Sequence, residues 1–130
     1  MVLTEAQRAF LDEPHYAVVG TLNRDGSIQQ TVVWFLLDGD DLRFSLSAAS
    51  VKAANLRRNP MITLTVEDGT RYLTLSGTAM VEPADQDLRR RLAIRYLGVE
   101  KAEAWLQRSP NVERPSVRIA VQKVYGQGVK

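Results

Sequence analysis

The chain contains no cysteine. That excludes disulfides, thiolate metal sites and cysteine nucleophiles, and it fits a reducing cytoplasm. Histidine occurs once, as His15. A lone histidine with no carboxylate or serine placed for a relay reads as structural, and no nucleophile elbow accompanies it. There is no cluster of His, Cys and carboxylates at ligand spacing, so no metal is expected. Neither a Gly-x-Gly-x-x-Gly fingerprint nor a phosphate-loop lysine motif occurs. No apolar run approaches the roughly 20 residues that span a bilayer, so no membrane association is expected. Met1 to Gln7 lacks a basic segment followed by an apolar one, unlike a secretory signal. Lys and Arg total 17 against 15 for Asp and Glu. A formal charge of +2 is too small to argue for nucleic acid. Aromatics are few, two Trp, four Tyr and three Phe, and most fall at apolar positions. A nucleic-acid-binding barrel would display them on an open face instead.

What the chain does have is size and pattern. At 130 residues and 45% hydrophobic, it suits a single domain over residues 1–130 with one core. Thr4-Glu5-Ala6-Gln7 is a capping box that opens a helix ending near Glu13, before Pro14. Tyr16–Leu22 is rich in β formers. Asn23–Gly26 turns the chain into a longer β run from Ser27 to Leu37, and Asp38–Asp41 turns it again. Leu42, Phe44 and Leu46 alternate with Arg43, Ser45 and Ser47, the period of a strand with one buried face. A short helix from about Ser50 to Arg58 stops at Asn59-Pro60. Met61–Glu67 alternates once more, and Asp68-Gly69-Thr70 leads into a long strand from Arg71 to Glu82. Gly77 marks a bulge or a close backbone approach within it, and Pro83 ends it. Leu88, Leu92 and Tyr96 recur at helical spacing from Ala84 to about Tyr96, before Gly98. A shorter helix follows from about Glu100 to Arg108, and Val117–Val124 forms the last strand. The class is α+β: a six-stranded antiparallel β-barrel with three or four short flanking helices.

One segment breaks a local rule. The helix after Ser50 carries Lys52 in its first turn, where the macrodipole disfavours a cation. The same helix end offers free N–H groups to an anion, above all a phosphate. Ser47 and Ser50 add hydroxyl donors and Lys52 adds charge, which makes a competent phosphate cradle. The plainer reading makes Ser50 an N-cap and Lys52 a solvated side chain. Conventional acid–base groups being scarce, any catalysis would rest on a bound cofactor. No residue is assigned as catalytic.

Gly26-x-x-x-x-Thr31-Val32-Val33-Trp34-Phe35, then Leu42-Arg43-Phe44-Ser45, then Ser50-Val51-Lys52-Ala53-Ala54-Asn55-Leu56-Arg57-Arg58-Asn59-Pro60 resemble the split-barrel flavin-binding superfamily, the pyridoxamine 5′-phosphate oxidase-like fold. Glu67 to Ala79 and Val117 to Gly126 continue the resemblance over nearly the whole chain. Ser50-x-Lys52-Ala53-x-Asn55 and Asp68-Gly69-x-Arg71-Tyr72-Leu73 are most similar to the branch that uses the deazaflavin coenzyme F420, which includes biliverdin reductases. The resemblance implies a split barrel, a homodimer with interface cofactor sites, and hydride transfer to a conjugated acceptor such as biliverdin or a quinone. It implies that Lys52 holds the cofactor phosphate with help from Ser50, that Val32, Val33 and Trp34 line the ring, and that Ser45 and Ser47 lie near the ribityl chain. It also implies that Arg71 and Tyr72 reach the site from the partner. An FMN-binding oxidoreductase of the same fold and a non-catalytic cofactor carrier are the alternatives. The chain is much shorter than the oxidase and lacks its carboxyl-terminal Arg–His arrangement, which argues against vitamin B6 synthesis. Trp34 and Phe35 suit a plain core equally well, Asn55 suits a helix anchor as well as a ligand contact, and Trp105 with Leu106 reads as core or dimer packing. Arg71 also suits a hairpin-tip charge and Tyr72 dimer packing. Arg89, Arg90 and Arg91 read as a solvated helix face, with contact to the cofactor's anionic glutamate tail as the alternative.

Overall fold

The capping box forms as the sequence predicts: Gln7 N donates to Thr4 Oγ1 at 3.1 Å and Thr4 N to Gln7 Oε1 at 2.9 Å. It opens α1 (Glu5–Asp12), which buries Phe10 and Leu11. The computed structural model describes residues 2–109 and 113–130. After α1 come β1 (Ala17–Leu22), β2 (Ile28–Val33), β3 (Leu36–Asp38) and β4 (Asp41–Ser45). Then follow α2 (Val51–Arg58), β5 (Met61–Glu67), β6 (Tyr72–Ala84), α3 (Gln86–Leu97), α4 (Val99–Arg108) and β7 (Pro115–Gln127). None of the helices among the described residues is long and apolar enough to cross a membrane.

The strands form one antiparallel sheet in the order β2-β1-β5-β6-β7-β4-β3. Its two edge strands, β2 and β3, are consecutive in the chain, with only Trp34 and Phe35 between them. A flat sheet of this width would hold its edges nearly ~30 Å apart, since neighbouring strands lie about 4.8 Å from one another. A two-residue link reaches only a fraction of that at about 3.5 Å per residue. The sheet therefore curls until β2 and β3 meet without pairing, which is a barrel split along one seam. Phe35, Phe44, Leu46, Leu64, Leu75 and Ile119 fill it.

Among the described residues the count is seven strands, not six. The run from Ser27 to Leu37 reads as one strand, but it breaks at Trp34-Phe35. The cause lies on α3. The Tyr96 hydroxyl accepts from Phe35 N at 3.2 Å, lies 3.1 Å from Phe35 O, and reaches His15 O at 2.6 Å. Phe35 thus satisfies its polar backbone off the ladder, and the chain is free to change partners from β1 to β4.

Two further differences have local reasons. Pro83 does not end its strand. It falls in a register shift between Glu82 and Ala84, where no ladder N–H is needed, and its carbonyl accepts from Ser116 Oγ at 2.8 Å. Arg43 belongs to the outward face of β4 yet is buried, because α3 begins over it and its guanidinium reaches Asp85 at 3.1 Å and Asp38 at 3.5 Å. Gly77 proves to be both bulge and close approach: the register shifts beside it, and a Cβ there would overlap the Ala120 carbonyl. That bulge also flips the phase of β7, so Val124 rather than Lys123 packs against the core. On the seam side Leu88 and Leu92 of α3 pack against Leu36 of β3, with Trp34 and Tyr96 against them.

Candidate functional site

β2 ends beside the start of α2, and the α3–α4 pair stands opposite. Between them lies a cavity of about 570 Å³. One wall is apolar, from Val32, Val33, Trp34, Leu92 and Trp105. Trp34 is fixed there by stacking on Tyr96, with centroids 5.1 Å apart, and by a tilted contact with Trp105 at 5.5 Å. The remaining lining is polar and cationic: Ser45, Lys52, Arg89, Arg108, Ser109 and Arg114.

The positive groups stand in a row. Burial, and then the Arg114 guanidinium, push the half-buried Lys52 amine below the usual lysine range. Arg114 is itself pushed down by burial and then by Arg89. Among the described residues its side chain makes two long contacts, Nε to Ser45 Oγ and Nη2 to Ser45 O, both at 3.5 Å. Among the described residues no carboxylate lies within ion-pair distance of Lys52, Arg89, Arg108 or Arg114. No carboxylic acid, histidine or phenol belongs to the cavity's described lining. Cationic groups beside a flat apolar wall can accept an anion next to a planar apolar group.

Five of the sequence-predicted site residues come together here: Val32, Val33, Trp34, Ser45 and Lys52. Ser47 and Ser50 stand at the entrance to α2 and do not line the cavity. Ser50 Oγ accepts from Ala53 N at 3.1 Å and donates to Ser47 O at 2.7 Å, so its hydroxyl is committed to capping. Ala49 N lies 3.4 Å from Ser47 Oγ. The amides of Val51 and Lys52, the first two of α2, find no acceptor among the described residues.

Arg71 and Tyr72 also lie outside the cavity. Arg71 bonds Asp68 Oδ2 through Nε at 2.7 Å and through Nη2 at 2.5 Å, meets Glu13 Oε1 at 3.1 Å, and lies over the Phe10 ring at 4.7 Å. The Arg71 amide, then its guanidinium, hold the Asp68 carboxyl well below the usual range. Ligand atoms of Glu13, His15 and Asp68 gather within 4.8 Å of one another. The guanidinium that bonds both carboxylates already supplies the positive charge. His15 joins this group through Glu13 at 3.2 Å, in a structural setting.

Asn55 is an anchor. It is buried, donates to Thr21 Oγ1 at 3.0 Å and Asn23 Oδ1 at 2.9 Å, and so ties α2 to the β1–β2 hairpin. Sequence reasoning preferred solvent for Arg89, which lines the cavity, and did not place Leu92, Trp105, Arg108, Ser109 or Arg114 there. Of these only Arg89 carried a signal: it lies next to Leu88 and one turn before Leu92, on the apolar stripe of α3.

The comparisons agree with this architecture. The sequence profile described as pyridoxamine 5′-phosphate oxidase matches residues 3–128. An F420H(2)-dependent biliverdin reductase of Mycobacterium tuberculosis is 32% identical over 126 residues, which cover 95% of this chain and 88% of that protein. Among solved structures, a conserved hypothetical protein of M. tuberculosis superposes with a TM-score of 0.78 at 24% identity, covering 97% of this chain and 85% of the other. A structure titled F420 reductase gives 0.74 at 24% identity, covering 95% and 98%. With its split barrel, its seam-side cavity and a profile match spanning almost every residue, the chain belongs to the pyridoxamine 5′-phosphate oxidase family.

Proposed function

We propose that the chain is an F420-dependent oxidoreductase that reduces a conjugated organic acceptor, of the kind biliverdin or a quinone represents. The observation that carries this reading is the half-buried, unpaired Lys52 beside a wall of Val32, Val33 and Trp34. An ammonium partly withdrawn from water without a counter-charge is disfavoured until an anion arrives. The flat apolar wall next to it suits a planar ring. The relative named as an F420H(2)-dependent biliverdin reductase supports the choice of cofactor.

Under this reading Lys52 and the free amides at the start of α2 hold the cofactor phosphate. Ser50 keeps that helix end in place through its cap. Val32, Val33 and Trp34 lie along the ring and keep water from it, and Ser45 lies toward the ribityl chain, while Ser47 stays at the helix entrance. When bound, the reduced deazaflavin supplies a hydride. The chain's own share is placement, exclusion of water and positive charge.

The reading includes a homodimer. Val18, Ile28, Val32, Met61 and Met80 are exposed on the strands, and Ile28 and Met61 share a shallow apolar groove. A second copy laid on that face would bury them and bring Arg71 and Tyr72 toward the partner's cavity.

The test is a titration of the purified protein with F420 and, separately, with FMN, followed by turnover of the reduced deazaflavin with biliverdin and quinones. Tight deazaflavin binding with acceptor-dependent oxidation is expected. Preference for FMN would overturn the cofactor assignment, and tight binding without turnover on any acceptor would leave a carrier.

A further inference from the structure

Arg89 is 8% exposed, and its Nε has no hydrogen-bond partner among the described residues. It lies over the Trp105 ring with Cζ 4.7 Å from the centroid, and it lines the cavity. The fold does supply carboxylates to its neighbours on α3. Arg90 pairs with Glu103, and Arg91 meets Asp38 at 4.0 Å. The buried Arg43 has both Asp38 and Asp85. Arg89 has none, and neither have Arg108 and Arg114 beside it. Pro110, Asn111 and Val112, which lie outside the described residues, bear no carboxylate either. A buried guanidinium left unpaired is strongly unfavourable, and stacking on an indole offsets only part of that. The ring also fixes the guanidinium plane, so its fork is presented in one orientation.

Resting on the deazaflavin reading above, the geometry points to a second anion subsite, in which Arg89, flanked by Arg114 and Arg108, grips a ligand carboxylate separate from the phosphate at Lys52. A planar, forked donor matches a carboxylate with two parallel hydrogen bonds. The cations run from Lys52 past Arg114 to Arg89, so the occupant of the cavity carries two anions, not one. The carboxylate has two sources of the same chemistry: the glutamate tail of the deazaflavin, or an acid side chain of the acceptor.

The experiment uses Arg89→Met, which keeps an unbranched apolar side chain and removes the guanidinium from Trp105, and Arg89→Lys, which keeps the charge without the fork. Dissociation constants are measured for F420 and for its glutamate-free form, and KM for biliverdin and its dimethyl ester. Melting temperatures show that both variants fold. Loss of a charged hydrogen bond predicts a weakening of about ten- to a hundredfold. If Arg89→Met weakens F420 by that factor and spares the glutamate-free form, the subsite holds the cofactor tail. If it raises KM for the free acid and spares the diester, the subsite holds the acceptor. Partial rescue by Arg89→Lys is expected in either case. Equal effects on the two members of each pair, or none on any, would overturn the proposal. If the wild type takes only FMN, the deazaflavin reading falls, while the acceptor pair on FMN-loaded protein still decides the role of Arg89.

Discussion

Lys52→Met separates binding from folding. Methionine keeps the unbranched stem and removes the charge. If Lys52 donates to an anionic cofactor, its loss should weaken binding by about 1.5–3 kcal/mol, the usual worth of a hydrogen bond to a charged group. That corresponds to a dissociation constant about ten- to 150-fold higher. Stability should move the other way. Burial first, then Arg114, hold the Lys52 pKa below its ordinary value, so the protonated amine is disfavoured in the folded chain. The sign follows from linkage. The penalty is fully present below the folded pKa and fades as pH rises toward the ordinary lysine value near ~10.4. The wild type should therefore gain stability across that alkaline window, and the variant should not. At neutral pH the variant should match or exceed the wild type. Solvent reaches a good part of the side chain, which limits the gain to about 0.5 kcal/mol, or roughly 1–3 °C in melting temperature for a domain of this size. Thermal melts at neutral and alkaline pH, with and without deazaflavin, measure both effects, and a fluorescence titration gives the affinity. An unchanged dissociation constant would refute the reasoning, as would a variant that melts several degrees below the wild type at neutral pH.

Three more perturbations test the scaffold. Tyr96→Phe keeps the stack on Trp34 but deprives Phe35 N and His15 O of the hydroxyl; denaturant unfolding should show a loss of about 1–3 kcal/mol. Gly77→Ala drives a methyl into the Ala120 carbonyl across the β6–β7 ladder; soluble expression should collapse, and a variant as stable as the wild type would contradict the bulge. Asp68 has its carboxyl depressed by Arg71, so its stabilising share is present above the ordinary aspartate pKa and is lost as pH falls below roughly 4. Asp68→Asn should melt lower at neutral pH and show a flatter acid limb, a difference that melts run from neutral to acid pH will reveal.

Which parts of this molecule were readable in the sequence follows from the reach of each interaction. The alternation of Leu42, Phe44 and Leu46 and the box at Thr4 and Gln7 are local, and both formed. The break at Trp34-Phe35 is not local. Nothing in Thr31 to Leu37 announces it, because the group that makes it affordable is a hydroxyl on α3. The cavity divides in the same way. Lys52 stood out because a cation in a first helical turn violates a rule that needs only its neighbours in sequence. Arg89 did not, since three consecutive arginines look alike until the helix is docked; only then do Arg90 and Arg91 meet acids while Arg89 turns inward. Arg114 precedes the last strand with no local pattern at all. Yet the cation on the wrong end of a helix and the cation on an apolar stripe line one cavity, with a third cation between them. The first two are local conflicts of the kind that folding selects against, and such conflicts concentrate where a protein meets its ligand. Their convergence on one wall, with no acid between them, is better explained by anions that arrive with the ligand than by separate imperfections of the fold.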